Sequence, residues 1–142
     1  MALNVLIVDD SRVMRSMIIR TLRLSGVPVA EVYEAGDGKE GLELLNENWI
    51  DLALIDINMP VMTGEEMIHQ VRANPITSDL RVIVVSTESS ETRVNRLKEQ
   101  GAAFLHKPFT PEELRQVVVD VTGVSLEQPD DELSLSGSNL SF

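Results

Sequence analysis

The chain has 142 residues, 43% of them hydrophobic and 25% charged, which suits one globular domain around one core. Its net charge of −11 speaks against nucleic acid and anionic membranes as partners, because both reward Lys and Arg. It has no cysteine, which excludes a disulfide framework, a thiolate metal site and a Cys nucleophile.

The opening MALNVLIVDD has no basic leader and no cleavage site, and no apolar run is long enough for a bilayer, so the expected setting is the cytoplasm. Val5–Val8 reads as a buried strand ending at Asp9 and Asp10. Ser11 caps the helix that follows, with Met14, Met17 and Ile18 on its inner face and Gly26 and Pro28 past its end. Val29–Glu34 alternates like a less buried strand. Asp37 and Glu40 form a capping-box pattern, and Gly41, Leu42 and Leu45 line the inner face of a second helix. Leu52–Ile55 is fully apolar and stops at Asp56, as a central parallel strand covered on both faces does. Thr63 and Glu66 pattern as a capping box for a third helix, whose stripe is Met67, Ile68 and Val71 and whose end is Asn74-Pro75. Val82–Val85 is a second fully apolar strand, ending at Ser86 and Thr87. A helix through Arg93–Gln100 faces inward with Val94 and Leu97 and stops at Gly101. Ala103–His106 is a short strand ending at Lys107-Pro108. Thr110, Pro111 and Glu113 open a last helix with Leu114, Val117, Val118 and Val121 inside.

Strand and helix thus alternate five times, which predicts an α/β fold: a single doubly wound parallel sheet with helices on both faces. In such sheets ligands bind beyond the carboxyl ends of the strands. Those ends carry Asp9 and Asp10, Asp56, Ser86 and Thr87, and Lys107. Each has an ordinary reading by itself. Asp9 and Asp10 cap a helix, Asp56 starts a turn, Ser86 and Thr87 are turn residues, Lys107 is a solvated lysine and Pro108 a trans proline. Taken together they are three carboxylates, a hydroxyl and an ammonium at four strand ends. Three carboxylates in one place repel unless a hard cation joins them, and Mg²⁺ prefers such oxygens. With two separated histidines, His69 and His106, zinc is disfavoured. A carboxylate can also attack phosphorus, and a metal, an ammonium and a hydroxyl are the groups that neutralise the product.

The motifs VLIVDDS, DINMP followed by TGEEM, VIVVST and FLHKPF resemble those of the receiver domains of two-component response regulators, in particular the stand-alone chemotaxis (CheY-type) members. The resemblance spans roughly 3–122. It implies the flavodoxin-like strand order 2-1-3-4-5, which the spacing alone does not dictate. It implies Asp56 as phosphoacceptor, with Mg²⁺ held by Asp10, Asp56 and the Asn58 main-chain carbonyl, and by Asp9 further out. Ser86 becomes the switch hydroxyl, Phe104 the aromatic that turns inward with it, and Lys107 the partner of the phosphoryl group. Asn58 and Glu88 flank the acceptor and tune the lifetime of the phosphoryl group. A cis Lys107–Pro108 bond is implied as well.

The sequence departs from that subfamily at three places: Phe104 stands for the commoner Tyr, Ser86 for Thr and Ile57 for Trp. The only tryptophan, Trp49, precedes the central strand, where its fluorescence is expected not to report phosphorylation. The implied partners are a histidine kinase as phosphodonor and a downstream protein, such as a flagellar motor component or a phosphatase. That protein would read the face made by the fourth helix, fifth strand and fifth helix. The expected chain is a monomer that chemically does no more than phosphorylate and dephosphorylate itself.

Two other chemistries suit the architecture but not these residues. An aspartyl phosphohydrolase needs a second acid two residues after its nucleophile, and Asn58 stands there. A flavodoxin-type electron carrier needs a phosphate loop where Asp9 and Asp10 would repel the phosphate. Residues 123–142 read as an acidic, Ser-rich, flexible tail with four acids and no Lys or Arg, too short for a DNA-binding or enzymatic output domain. Either it is inert, or Leu133, Leu135, Leu140 and Phe142 form a docking peptide. In a further variant of the receiver reading the domain is a phosphate sink.

Overall fold

The computed structural model describes residues 1–88 and 90–126. The elements alternate as β1 (Leu3–Val8), α1 (Arg12–Leu24), β2 (Val29–Ala35), α2 (Gly38–Glu47), β3 (Leu52–Ile55), α3 (Gly64–Ala73), β4 (Arg81–Ser86), α4 (Glu91–Glu99), β5 (Ala102–His106) and α5 (Pro111–Thr122). All four strand pairings are parallel, in the order β2-β1-β3-β4-β5. The chain therefore steps from β1 to one neighbour, β2, and then crosses to the other, β3. That reversal opens a crevice between the carboxyl ends of β1 and β3.

The sheet separates two apolar layers. Leu6, Val8, Ala53, Ile55, Val82 and Val84 point to the side covered by α2, α3 and α4, where Leu45, Met67, Ile68, Val71 and Leu97 meet them. Val5, Ile7, Leu52, Leu54, Ile83 and Val85 point to α1 and α5, against Ile18, Leu22, Leu114 and Val118. Because successive strand residues alternate in direction, a strand buried on both sides must be apolar throughout, and β3 is buried at every position. Each such Leu or Ile, fully withdrawn from water, contributes about 1.5–3 kcal/mol before entropy is charged. The edge strand β2 alternates instead with exposed Ala30, Glu31 and Glu34.

Local signals behave as their chemistry demands. Ser11, Thr63 and Thr110 each accept a backbone N–H in the first turn of their helix, and Thr63–Glu66 and Thr110–Glu113 are complete capping boxes. Asp37 caps α2 by accepting from Glu40 N–H, but the reciprocal half of the expected box is absent. The Glu40 carboxylate accepts instead from Gly36 N–H at 2.6 Å, which ties the β2–α2 turn to the helix.

Two expected core positions need correction. Met17 lies one position off the buried stripe of α1 set by Ile18 and Leu22, and it is 56% exposed. Val94 is only half buried, so Leu97 is the one fully buried apolar side chain of α4. That helix also begins two residues earlier than its apolar spacing suggested, at the Ser90 cap. The Lys107–Pro108 bond is cis, as the family resemblance implied and against the usual state of X–Pro bonds.

Gly123 takes the left-handed conformation that closes α5, and the chain still packs at Val124, which is buried with the α1/α5 layer. The expectation for a flexible, docking tail falls largely on residues outside those described.

Candidate functional site

Three backbone bonds set the floor of the crevice. Asp56 N–H donates to Val8 C=O at 2.9 Å, Asp9 N–H to Ala35 C=O at 3.1 Å, and Lys107 N–H to Ser86 C=O at 2.9 Å. Each extends a strand pairing by one residue, so the polar residue after each apolar run emerges at the same level. Oxygens of Asp9, Asp10 and Asp56 consequently lie within 4.8 Å of one another. Asp9 and Asp56 are buried, at 2% and 9% exposure, and Asp10 is exposed.

The Lys107 ammonium enters this cluster from β5. Its Nζ is 3.2 Å from Asp9 Oδ2 and 3.8 Å from Asp56 Oδ1. The nearer partner is thus Asp9, whose other oxygen, Oδ1, accepts from Ser11 N–H at 2.9 Å. With both oxygens engaged, Asp9 is held rigidly. Asp56 has weaker compensation. Burial raises its pKa above the ordinary carboxylate value; Lys107 opposes that rise, Asp9 adds to it, and the backbone N–H groups of Ile57 and Asn58 oppose it. One ammonium cannot balance three carboxylates. The donor set is all oxygen and hard, so the residues fit a small divalent cation such as Mg²⁺, which takes carboxylates and keeps several waters.

Ser86 is the last residue of β4, at the same end of the sheet. It is 1% exposed, and its Oγ accepts from Glu88 N–H at 3.1 Å. Strand alternation places it on the same face of the sheet as Val84, the register partner of Phe104. Phe104 is half buried against the α2–α4 layer, its ring 6.3 Å from that of His106. Asn58 is exposed two residues past Asp56. The Glu88 carboxylate is turned toward α4, where it meets Arg93 at 2.9 Å. Trp49 stands 78% exposed at the opposite edge of the sheet, bonded through its indole N–H to Asp51.

Sequence reasoning missed three supports. Arg15 bonds the Asp9 carbonyl at 2.6 Å and the Glu34 carboxylate at 2.9 Å, pinning the β1–α1 turn. Gly64 N–H donates to Ile57 C=O, and a Cβ at Gly64 would collide with the Asp56 carbonyl oxygen and crowd the Ile57 Cα. Only glycine allows α3 to start so close to the acidic loop. Between them, Val61 takes φ +67° and Met62 N–H reaches back to Pro60 C=O, a tight three-residue turn that is strained for a β-branched residue. The glycine was visible in the motif; its reason was not, because the colliding atom belongs to a strand end that only folding brings there.

A doubly wound sheet with an acidic, lysine-bearing crevice at its switch point defines an α/β domain that binds its ligand, here a hard cation by the donor set, beyond the strand ends. The comparisons with known proteins narrow it. The family model described as "Response regulator receiver domain" matches residues 5–119, and the chain belongs to that family. A chemotaxis protein CheY homolog of Campylobacter jejuni is 37% identical over 123 residues, covering 85% of this chain and 93% of the relative. The two-component response regulator ORR5 of rice (Oryza sativa) is 38% identical over 116 residues, covering 80% and 84%. The solved structure of the chemotaxis response regulator CheY4 of Vibrio cholerae superposes with a TM-score of 0.75 at 36% identity, covering 85% of this chain and 99% of that one.

The chain is therefore a phosphoacceptor switch of two-component signalling rather than a metabolic enzyme, and the family implies a histidine kinase as phosphodonor. Among the described residues no helix is long and apolar enough to cross a membrane.

Proposed function

We propose that this protein is a stand-alone chemotaxis-type switch in which Asp56 is the phosphoacceptor. The observation that carries the reading is the meeting of Asp56 with Asp9, Asp10 and Lys107 at the switch point of the sheet. An Asp56 carboxylate oxygen attacks the donor's phosphorus. A P–O bond forms as the bond from phosphorus to the donor, a kinase histidine nitrogen or a small acyl phosphate, breaks. Asp10, Asp56 and the Asn58 main-chain carbonyl would hold Mg²⁺ directly. Asp9, with both oxygens already bonded, acts from further out. When bound, the ion supplies charge neutralisation for the transferring oxygens.

Lys107 leaves Asp9 to meet the phosphoryl group, and Ser86 turns its hydroxyl toward it. Phe104 then moves into the space vacated beneath α4. The face of α4, β5 and α5 changes shape, and a partner that prefers the new shape shifts the population. Phe104 lacks a phenol, so its movement is scored by packing alone. Asn58 and Glu88 tune access of water to the acyl phosphate. The names of the Campylobacter and Vibrio relatives support chemotaxis as the pathway.

The test is direct. With acetyl phosphate and Mg²⁺ the intact protein gains the mass of one phosphoryl group, and Asp56→Asn gains none. Labelling that persists in Asp56→Asn would overturn the assignment.

A further inference from the structure

Above the acidic crevice, the connection from β4 to α4 is tied to a second helix. Arg93, in the first turn of α4, bonds two carboxylates at once: Nε to Glu65 Oε1 at 2.7 Å and an Nη to Glu88 Oε1 at 2.9 Å. Glu65 lies in the first turn of α3 and is also approached by Arg96 at 3.4 Å. Glu88 lies between β4 and α4; its other carboxylate oxygen accepts from Ser90 N–H, and its own N–H donates to Ser86 Oγ. The three charged side chains are 20–27% exposed, so water screens them only in part. Burial works against the charge of Arg93, but its bonds to Glu65 and Glu88 outweigh that cost and hold its pKa above the ordinary value. A planar guanidinium with its fork of donors suits such a double engagement in a way an ammonium does not.

We propose that Arg93 is a positioning residue that holds the switch at rest. It clasps Glu65 and Glu88 together and thereby keeps the Glu88 amide on the hydroxyl of Ser86. The inference rests on the receiver reading above and adds to it a restraint on the connection between β4 and α4. When Ser86 Oγ swings toward Asp56, the Glu88 amide loses its acceptor unless its backbone follows. The clasp anchors that backbone to α3, so following means breaking the ion pairs. Without Arg93 the backbone follows freely and the inward state of Ser86 becomes easier to reach.

The experiment uses the full-length chain, with beryllofluoride and Mg²⁺ as phosphoryl mimic and hydrogen exchange of the Glu88 amide in the unloaded protein. In Arg93→Gln the Glu88 amide exchanges several-fold faster, and beryllofluoride binds about threefold to tenfold more tightly, the scale of a partly screened ion-pair network. Glu65→Gln shifts both in the same direction, and the double variant adds little to the larger single effect. Arg93→Lys, which engages one carboxylate at a time, falls between. Unchanged exchange and affinity in both single variants, or weaker binding in Arg93→Gln, would overturn the clasp. Wild-type protein that fails to bind beryllofluoride, or Asp56→Asn that still binds it, would instead overturn the phosphoacceptor reading.

Discussion

At the N-terminal edge of the sheet, charged side chains end on backbone groups and on the Trp49 indole. Arg72, at the end of α3, donates to Gln100, Ser78 and Leu80 carbonyls at 2.6–2.9 Å, and its burial, opposed by Asp79, lowers its pKa. Asp51 accepts from Asn4 N–H and the Trp49 indole, and Arg81 donates to Val121 C=O. The carboxyl edge does the reverse. It gathers Asp9, Asp10 and Asp56 around Lys107 and leaves Asp56 under-compensated. One edge satisfies its polar groups from within, so it stabilises the fold. The other is short of positive charge, so it is built to receive a cation and a phosphoryl group.

Four substitutions or measurements test this contrast. The largest effect is expected from Gly64→Ala at the carboxyl edge. Its Cβ meets strand-end backbone rather than a yielding side chain, so urea denaturation should show a loss of about 3 kcal/mol or more, and phosphorylation should slow as the Asp56 loop shifts. Arg72→Met comes next. It strips several carbonyls of their donor and should cost about 2 kcal/mol, while Mg²⁺ affinity at the far edge stays within about twofold. A large loss of Mg²⁺ affinity in that variant would erase the distinction between the edges.

Asp56→Asn is expected to raise stability. Because its folded pKa is raised above 3.8, the native state holds this proton more tightly than the unfolded chain. The group's contribution therefore falls as pH rises through the window from 3.8 to the folded value, and above that window the carboxylate is a constant cost. At neutral pH without metal, Asp56→Asn should gain about 1 kcal/mol in thermal unfolding. The advantage should vanish below the window, where the wild-type carboxyl is protonated in both states. The smallest effect concerns Trp49. Exposed at the satisfied edge, it should keep its emission unchanged when beryllofluoride and Mg²⁺ are added. A clear quench would show that the two edges communicate.

Much of the site was legible because it sits where apolar runs stop. Asp9, Asp56 and Ser86 each follow a run whose length marks a buried strand, Lys107 follows the short edge strand β5, and parallel pairing sends all such ends the same way. What the strand ends could not show was how the charges divide among themselves. Lys107 reaches Asp9 more closely than Asp56, and Glu88 turns toward Arg93. These choices depend on which side chains α1 and α4 carry to the same place. Met17 was misread for a related reason. An apolar residue beside the stripe of α1 counts as core in any periodic reading, and only the packed neighbours reveal that the stripe is narrower.

The amino-acid order by itself determined the elements, the caps of α1, α3 and α5, and the polar residue at each strand end. Those depend on interactions within a few positions of the chain and on a period of two or 3.6. Tertiary structure alone decided the supports: Arg15 on the Asp9 carbonyl, Gly64 against the Asp56 backbone, Arg72 across three carbonyls, and Arg93 between Glu65 and Glu88. Their partners come from different elements, and no local pattern encodes which helix will lie beside which loop.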